Sequence, residues 1–252
     1  METPVRGRVA IITGSGRRRV GNVVARALAR DGYRVALHYH RSEAAARETL
    51  EELLAAGAEA MAYRADLARE DEVQRLFDAV VDRFGRLDVL VTTASIWDAK
   101  RLEQVTAADV RRSFEVNTLG TFLCAQRGGL IMVGQAEGGV IITFGDWAIE
   151  RPYVDHAAYF TAKGAIPTLT KMLAVELGQR NPRVRVNCIH PGPVMFPEAM
   201  SHEERQATIR ATLVQRADCP ESVVSAVRFL IENDFVTGVC LPVDGGRTVY
   251  AG

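Results

Sequence analysis

The chain has 252 residues, a length for one large domain or two small ones, and 48% of them are hydrophobic, enough for a packed core, so a fibrous or disordered chain is excluded. Lys plus Arg and Asp plus Glu both number 31, which leaves zero net charge and no basic excess to draw nucleic acid or an anionic membrane. These balances point to a small-molecule partner. No window approaches the roughly 18 uninterrupted apolar residues of a membrane span. The charged start is followed only by Val9 to Ile12 before Thr13-Gly14, so no signal peptide is expected. Cys124, Cys188, Cys219 and Cys240 are scattered without a CxxC pair or zinc-finger spacing. We therefore expect small buried thiols, no disulfide framework, no metal site and a reducing, cytoplasmic location.

The opening run Arg8 to Thr13 is continuously apolar after its first residue, as in a strand covered on both faces. A Gly-rich turn follows, then Val23 to Leu28 at helical spacing, Gly32 as a stop, and Arg34 to His40 as a second strand. The alternation continues. A charged helix from about Ser42 to Ala56 precedes a strand from Ala58 to Tyr63, and a helix through Val73, Phe77 and Val81 precedes a strand from Asp88 to Val91. Thr106 with Asp109 has the form of a capping box opening a helix that carries Asn117. Further on come a strand at Val140 to Thr143, a long helix from about Asp155 to Leu177, a strand at Arg185 to Ile189, a helix near Ser222 to Ile231 and a last strand near Val239 to Val243. This predicts an α/β fold: a single-domain Rossmann fold, doubly wound, with a mostly parallel sheet and helices on both faces. A cofactor half over about residues 1–95 and a substrate half over about 96–252 follow, with a lid-like segment at 193–213.

The segment Gly14, Ser15, Gly16, Arg17, Arg18, Arg19, Val20, Gly21 lies between the first strand and the first helix, where backbone N–H groups and the helix dipole hold a pyrophosphate. Its third glycine arrives later than the strict G-x-G-x-x-G spacing requires. An NAD site usually ends its second strand with an acid that binds the ribose 2′-hydroxyl. Here the stretch reads His40, Arg41, Ser42, which with one of Arg17 to Arg19 suits a 2′-phosphate, so NADPH/NADP+ is the expected cofactor. Asp66 after the third strand is a candidate either for the adenine amine or for a helix N-cap.

Tyr159 and Lys163 stand four residues apart on one helix face, and Lys163 is one of only three lysines among 31 basic residues, with Lys100 and Lys171. A cation beside a phenol is expected to lower its pKa and make a general acid/base.

With Thr13-Gly14 and Gly21, Asp66, Asn117, Tyr159 with Lys163, Pro191-Gly192 and Val243 to Gly246, the chain resembles the short-chain dehydrogenase/reductase family over nearly its whole length. The resemblance implies that Tyr159 protonates the reduced centre, that Lys163 holds the nicotinamide ribose, and that Asn117 supports a proton-relay water. It also implies that Leu67, Thr93, Ala94, Ser95, Pro191, Gly192 and Val194 line the cofactor, and that the enzyme is a homo-oligomer, a dimer or tetramer.

Two departures are informative. The family's Asn-Asn-Ala-Gly is Thr92-Thr93-Ala94-Ser95, and its catalytic Ser is Asp146. An ionised carboxylate only accepts hydrogen bonds and opposes a developing alkoxide, so a plain ketone suits Asp146 poorly. Asp146, His40-Arg41-Ser42 and Ala94-Ser95-Ile96-Trp97 together resemble the pteridine reductases. That likeness implies a pterin or folate stacked on Trp97, with Ser95, Asp146 and Tyr159 at the substrate. The alternatives at this stage are a 3-oxoacyl-thioester or general carbonyl reductase and, from another class, a non-catalytic NADP(H)-sensing protein. Gly128-Gly129 and Pro167 interrupt helical segments without a functional reason visible in the sequence. His156 and His190 read as packed or capping residues.

Overall fold

The computed structural model describes residues 7–250. The chain runs β1 (Val9–Thr13), α1 (Val20–Arg30), β2 (Arg34–Tyr39), α2 (Glu43–Ala55), β3 (Ala60–Arg64), α3 (Glu70–Phe84), β4 (Val89–Thr92), α4 (Ala107–Phe114), a π-helical turn (Glu115–Leu119), α5 (Gly120–Val133) and β5 (Gly139–Phe144). It continues with α6 (Ala157–Lys163), α7 (Ile166–Gly178), β6 (Val184–Pro191), α8 (His202–Arg210), α9 (Glu221–Glu232) and β7 (Cys240–Val243). The seven strands form one sheet in the order β3-β2-β1-β4-β5-β6-β7, and every pairing is parallel.

The strand pleat divides the core in two. Val9 and Ile11 of β1 face one layer, with Leu76 and Phe77 of α3, Cys124 and Met132 of α5, and Leu173 and Leu177 of α7. Ala10 and Ile12 face the other, with Val24 and Leu28 of α1 and Val223, Val227 and Leu230 of α9. Burial on both faces is why β1 reads as an unbroken apolar run. Each fully buried Leu, Ile or Phe contributes about 1.5–3 kcal/mol. Arg228 of α9 grips Asp31 at the end of α1 through two bonds of 2.7 Å.

The structure corrects the single helix expected over Asp155 to Leu177. It is two helices, α6 and α7, because Pro167 lacks an N–H and sits in the first turn of α7, where that donor is not needed. The glycines of α5 also find their reason. A Cβ on Gly129 would fall 2.3 Å from Leu177 Cδ1, and one on Gly128 would fall 2.9 Å from Leu90 Cδ2, so these positions let α5 approach α7 and the sheet closely. The capping box of α4 is present: Thr106 Oγ1 accepts from Asp109 N–H, and the Asp109 carboxylate accepts from Thr106 N–H at 2.7 Å. The segment at 193–213 contains the surface helix α8, opened by a second capping box between Ser201 and Glu204. Among the described residues no helix is long and apolar enough to cross a membrane.

Candidate active site

Strand order reverses between β1 and β4, and in such sheets the crevice beyond the carboxyl ends of the strands is the ligand site. The loops after β1, β2, β3, β4, β5 and β6 carry the residues singled out in the sequence, so they converge there. A concavity of about 960 Å³ lies at the other end of the sheet between Arg8, Asp88, Arg185 and Arg228. Mixed charge and ion pairing leave it without an evident reactive group.

The β1–α1 turn is built by residues it packs against. Gly14 has φ +67°, and a Cβ there would meet Ala94 Cα at 2.7 Å, so only glycine admits the β4 loop this closely. Thr13 Oγ1 accepts from Ala94 N–H at 3.1 Å, and Thr93 Oγ1 donates back to the Thr13 carbonyl. Ser15 is turned inward: its hydroxyl donates to Ile12 O at 2.7 Å, and Asn22 Nδ2 donates to the Ser15 carbonyl at 2.9 Å. The Ser15 side chain is therefore committed to holding the turn in shape. Arg19 begins α1 in extended backbone with no side-chain cap, and the Asn22 N–H turns back to the Arg19 carbonyl, which leaves the Val20 and Gly21 N–H groups for an anion. That uncapped turn and the glycine cradle fit a dinucleotide pyrophosphate.

The three arginines separate. Arg19 reaches across to the Ser95 carbonyl at 3.3 Å, on the substrate side of the cleft. Gly16 packs on the end of β2, where a Cβ would fall 2.6 Å from Tyr39 Cβ and 3.2 Å from Ser42 Oγ, so the turn runs against the segment that carries Ser42. Arg17 and Arg18 are exposed. Ser42 precedes α2 without capping it, and Arg41 is exposed with no carboxylate within 4.0 Å among the described residues. Asp66 is not an N-cap, since Arg69 holds that position. Its Oδ1 accepts from Ala68 N–H at 3.1 Å, and its Oδ2 lies 4.0 Å from His40 Nε2. Leu67 is buried beneath Gly120.

His38 is a site residue that the sequence reading passed over. Its Nδ1 accepts from Gly14 N–H at 3.0 Å, so Nε2 carries the proton and donates to Ala65 O at 3.0 Å. One imidazole thus ties the glycine turn to the end of β3. Burial pushes it down to about 4. No motif marks it, because all three partners meet only in the folded sheet.

On the catalytic side Asn117 lies in the π-helical turn with every side-chain bond taken. Its Oδ1 accepts from Ser95 Oγ and Ile96 N–H, each at 2.9 Å, and its Nδ2 donates to Ile96 O and Ser113 Oγ, each at 3.1 Å. Asn117 therefore shapes the turn that presents Trp97. Tyr159 and Lys163 share the buried face of α6. The Tyr159 hydroxyl donates to Asp146 Oδ2 at 2.6 Å, while Asp146 Oδ1 accepts from Ala148 N–H at 2.8 Å. Lys163 Nζ donates to the Phe144 carbonyl at 2.7 Å rather than approaching the phenol.

This geometry reverses one expectation. The Tyr159 phenol is raised above its ordinary value, first by burial, then by the Asp146 charge and by the hydrogen bond it donates to that carboxylate. Lys163 is lowered by burial, an effect the Asp146 charge opposes. The lysine lies on the expected face, but its ammonium is held by a backbone carbonyl, and the nearest charge to the phenol is negative.

An aromatic wall completes the cleft. The exposed Trp97 stacks on His156 with centroids 4.6 Å apart and donates to Tyr153 Oη at 3.0 Å, and Phe160 and Trp147 flank Tyr153. Pro191 ends β6, Gly192 N–H donates to Val243 O at 3.0 Å, and Val194 is buried beneath this segment. These residues keep the β6 loop against the VDGG stretch at the cleft rim.

A doubly wound sheet whose switch-point crevice combines a glycine anion turn with a buried Tyr, Lys and carboxyl group defines a nicotinamide-dependent oxidoreductase. A family model described as enoyl-(acyl carrier protein) reductase matches residues 15–248. An uncharacterized oxidoreductase of Methylorubrum extorquens is 34% identical over 247 residues, covering 95% of this chain and 97% of that one. A 3-oxoacyl-[acyl-carrier-protein] reductase of Synechocystis is 32% identical over 252 residues, covering 98% and 100%. The crystal structure of a dehydrogenase/reductase from Sinorhizobium meliloti superposes with a TM-score of 0.88 at 30% identity, covering 97% of each chain. The chain belongs to the short-chain dehydrogenase/reductase family. Members of that family use NAD or NADP.

Proposed function

We propose that the protein is an NADPH-dependent reductase of a pterin- or folate-like nitrogen heterocycle, acting at a C=N bond. The observation that carries this reading is the 2.6 Å bond from Tyr159 Oη to Asp146 Oδ2. A ketone oxygen set before Tyr159 meets carboxylate lone pairs, whereas a ring bearing N–H or NH₂ groups donates to them. The exposed indole of Trp97, braced by His156, offers a flat face for such a ring. The preference for NADPH is supported by Arg41, which has no carboxylate within 4.0 Å among the described residues, next to the uncommitted Ser42.

The bound cofactor supplies a hydride. The protein's residues do the rest. Asp146 orients the heterocycle and keeps the proton on Tyr159 Oη, and Tyr159 passes that proton to the ring nitrogen as its double bond is reduced. Lys163, fixed by Phe144 O, adds positive charge below the site, and Asn117 holds the Ser95–Ile96 turn. The homo-oligomer, dimer or tetramer, is part of this reading, supported by apolar side chains left exposed on α5 and α7 at Leu130, Met172 and Val175.

The test is loss of NADPH absorbance with dihydrobiopterin, dihydrofolate, an acetoacetyl thioester and a simple diketone, with Tyr159→Phe and Asp146→Ser as controls. Turnover of the pterin or folate, abolished in Tyr159→Phe and reduced in Asp146→Ser, is the expected result. Turnover of the thioester or ketone alone overturns it in favour of a carbonyl or 3-oxoacyl-thioester reductase, the reading that the Synechocystis relative favours. Binding of NADPH without any Tyr159-dependent turnover points instead to a cofactor sensor.

A further inference from the structure

Cys188 and Cys240 are 52 residues apart yet face each other directly, as register partners in the parallel pair β6·β7. His190 follows Cys188 by two residues, so the strand pleat puts its ring on the same face. One ligand atom from each of the three residues lies within 4.8 Å of the other two. The catalytic machinery described above uses none of them.

His190 is only 6% exposed, and its Nε2 is buried without a hydrogen-bond partner among the described residues. Leaving such a buried atom unpaired is unfavourable, which calls for an occupant. Gly145 packs closely against the group. The position its Cβ would take is 2.6 Å from His190 Nε2 and 3.3 Å from Cys188 Sγ. Only a glycine lets the imidazole and the Cys188 thiol lie this close to the start of the β5 loop. Cys188 is buried, and Cys240, half-buried on the terminal strand of the sheet, provides the approach from solvent.

We infer that Cys188, His190 and Cys240 form a binding site for a soft, thiophilic cation, with Zn²⁺ as the type ligand. Two thiolates and a neutral imidazole are the donor set that Zn²⁺ selects, with a fourth position left for water. Binding exchanges two thiol protons for the cation, so both protons are released as the two metal–sulfur bonds form. Metal–ligand bonds of about 2.0–2.3 Å require the three donors to draw together from this spacing by roughly an ångström. The site also adjoins the catalytic cleft, because Gly145 follows Phe144, whose carbonyl holds Lys163 Nζ. It does not depend on which substrate the cleft accepts.

The test uses untagged, full-length protein, reduced and stripped with chelator, then titrated with Zn²⁺ in competition with a chromophoric chelator and separately with Co²⁺. We expect one equivalent of Zn²⁺ per chain and a thiolate-to-cobalt charge-transfer band in the near ultraviolet. Cys240→Ser, on the terminal strand, is expected to lose the band with its circular dichroism unchanged, and His190→Ala and Gly145→Ala to weaken Zn²⁺ uptake by at least about tenfold. No stoichiometric uptake by the wild-type chain overturns the proposal, and so does uptake that Cys240→Ser leaves undiminished.

Discussion

Replacing His38 by Asn tests the joint that holds the glycine turn. His38 is 2% exposed, and its two ring nitrogens are committed to Gly14 N–H and Ala65 O, each at 3.0 Å. Protonation would set an N–H against the Gly14 N–H, and burial, the main cause, pushes the imidazole from 6.5 down to about 4. Between those values the unfolded chain binds a proton that the folded chain refuses. The stabilisation is therefore complete above about pH 6.5 and is lost as pH falls towards 4. The full gap is worth about 3 kcal/mol, of which about 2 kcal/mol is lost between about pH 7 and pH 5. Urea unfolding of the wild type and of His38→Asn at those two pH values isolates this contribution, since the carboxylates titrate alike in both. The amide oxygen of the variant still accepts from Gly14 N–H but does not titrate. The wild type should lose about 2 kcal/mol more than the variant over this range. Equal losses in the two proteins would refute the assignment of His38 as a neutral strut under the dinucleotide turn.

Three further outcomes follow from the site. Tyr159→Phe removes the transferable proton and should lower kcat by about 100- to 10,000-fold, with the dissociation constant for NADPH by fluorescence unchanged. Asp146→Asn leaves the burial that chiefly raises the Tyr159 phenol but removes the charge that adds to it, so the alkaline fall of kcat/KM, where the proton donor is lost, should move to lower pH than in the wild type; an unmoved profile would deny the coupling. Arg41→Ala should weaken NADPH by about 1.5–3 kcal/mol, a tenfold to hundredfold rise in KM, and leave NADH unaffected.

Which features were legible in the sequence depends on the range over which the physics acts. The strands of the sheet announce themselves because residues such as Val9 to Ile12 are buried on both faces, so local composition carries the burial. The capping box at Thr106 and Asp109 closes within four residues and is equally local. The break between α6 and α7 was visible as Pro167, but a proline in the first turn of a helix and one in its interior look alike until the preceding residues are placed.

The electrostatics of Tyr159 lie beyond that range. An i, i+4 spacing establishes that Tyr159 and Lys163 share a face of α6, and they do. It does not establish where a flexible ammonium ends. Lys163 is captured by Phe144 O and Tyr159 by Asp146, both at the end of β5, so the charge nearest the phenol has the opposite sign from the one the pair suggests. His38 and the Cys188, His190 and Cys240 group follow the same rule: each is assembled across neighbouring parallel strands, whose connections run through whole helices. Parallel pairing separates partners by dozens of residues, so a search for short ligand spacings passes over such groups, whereas a search over strand register finds them.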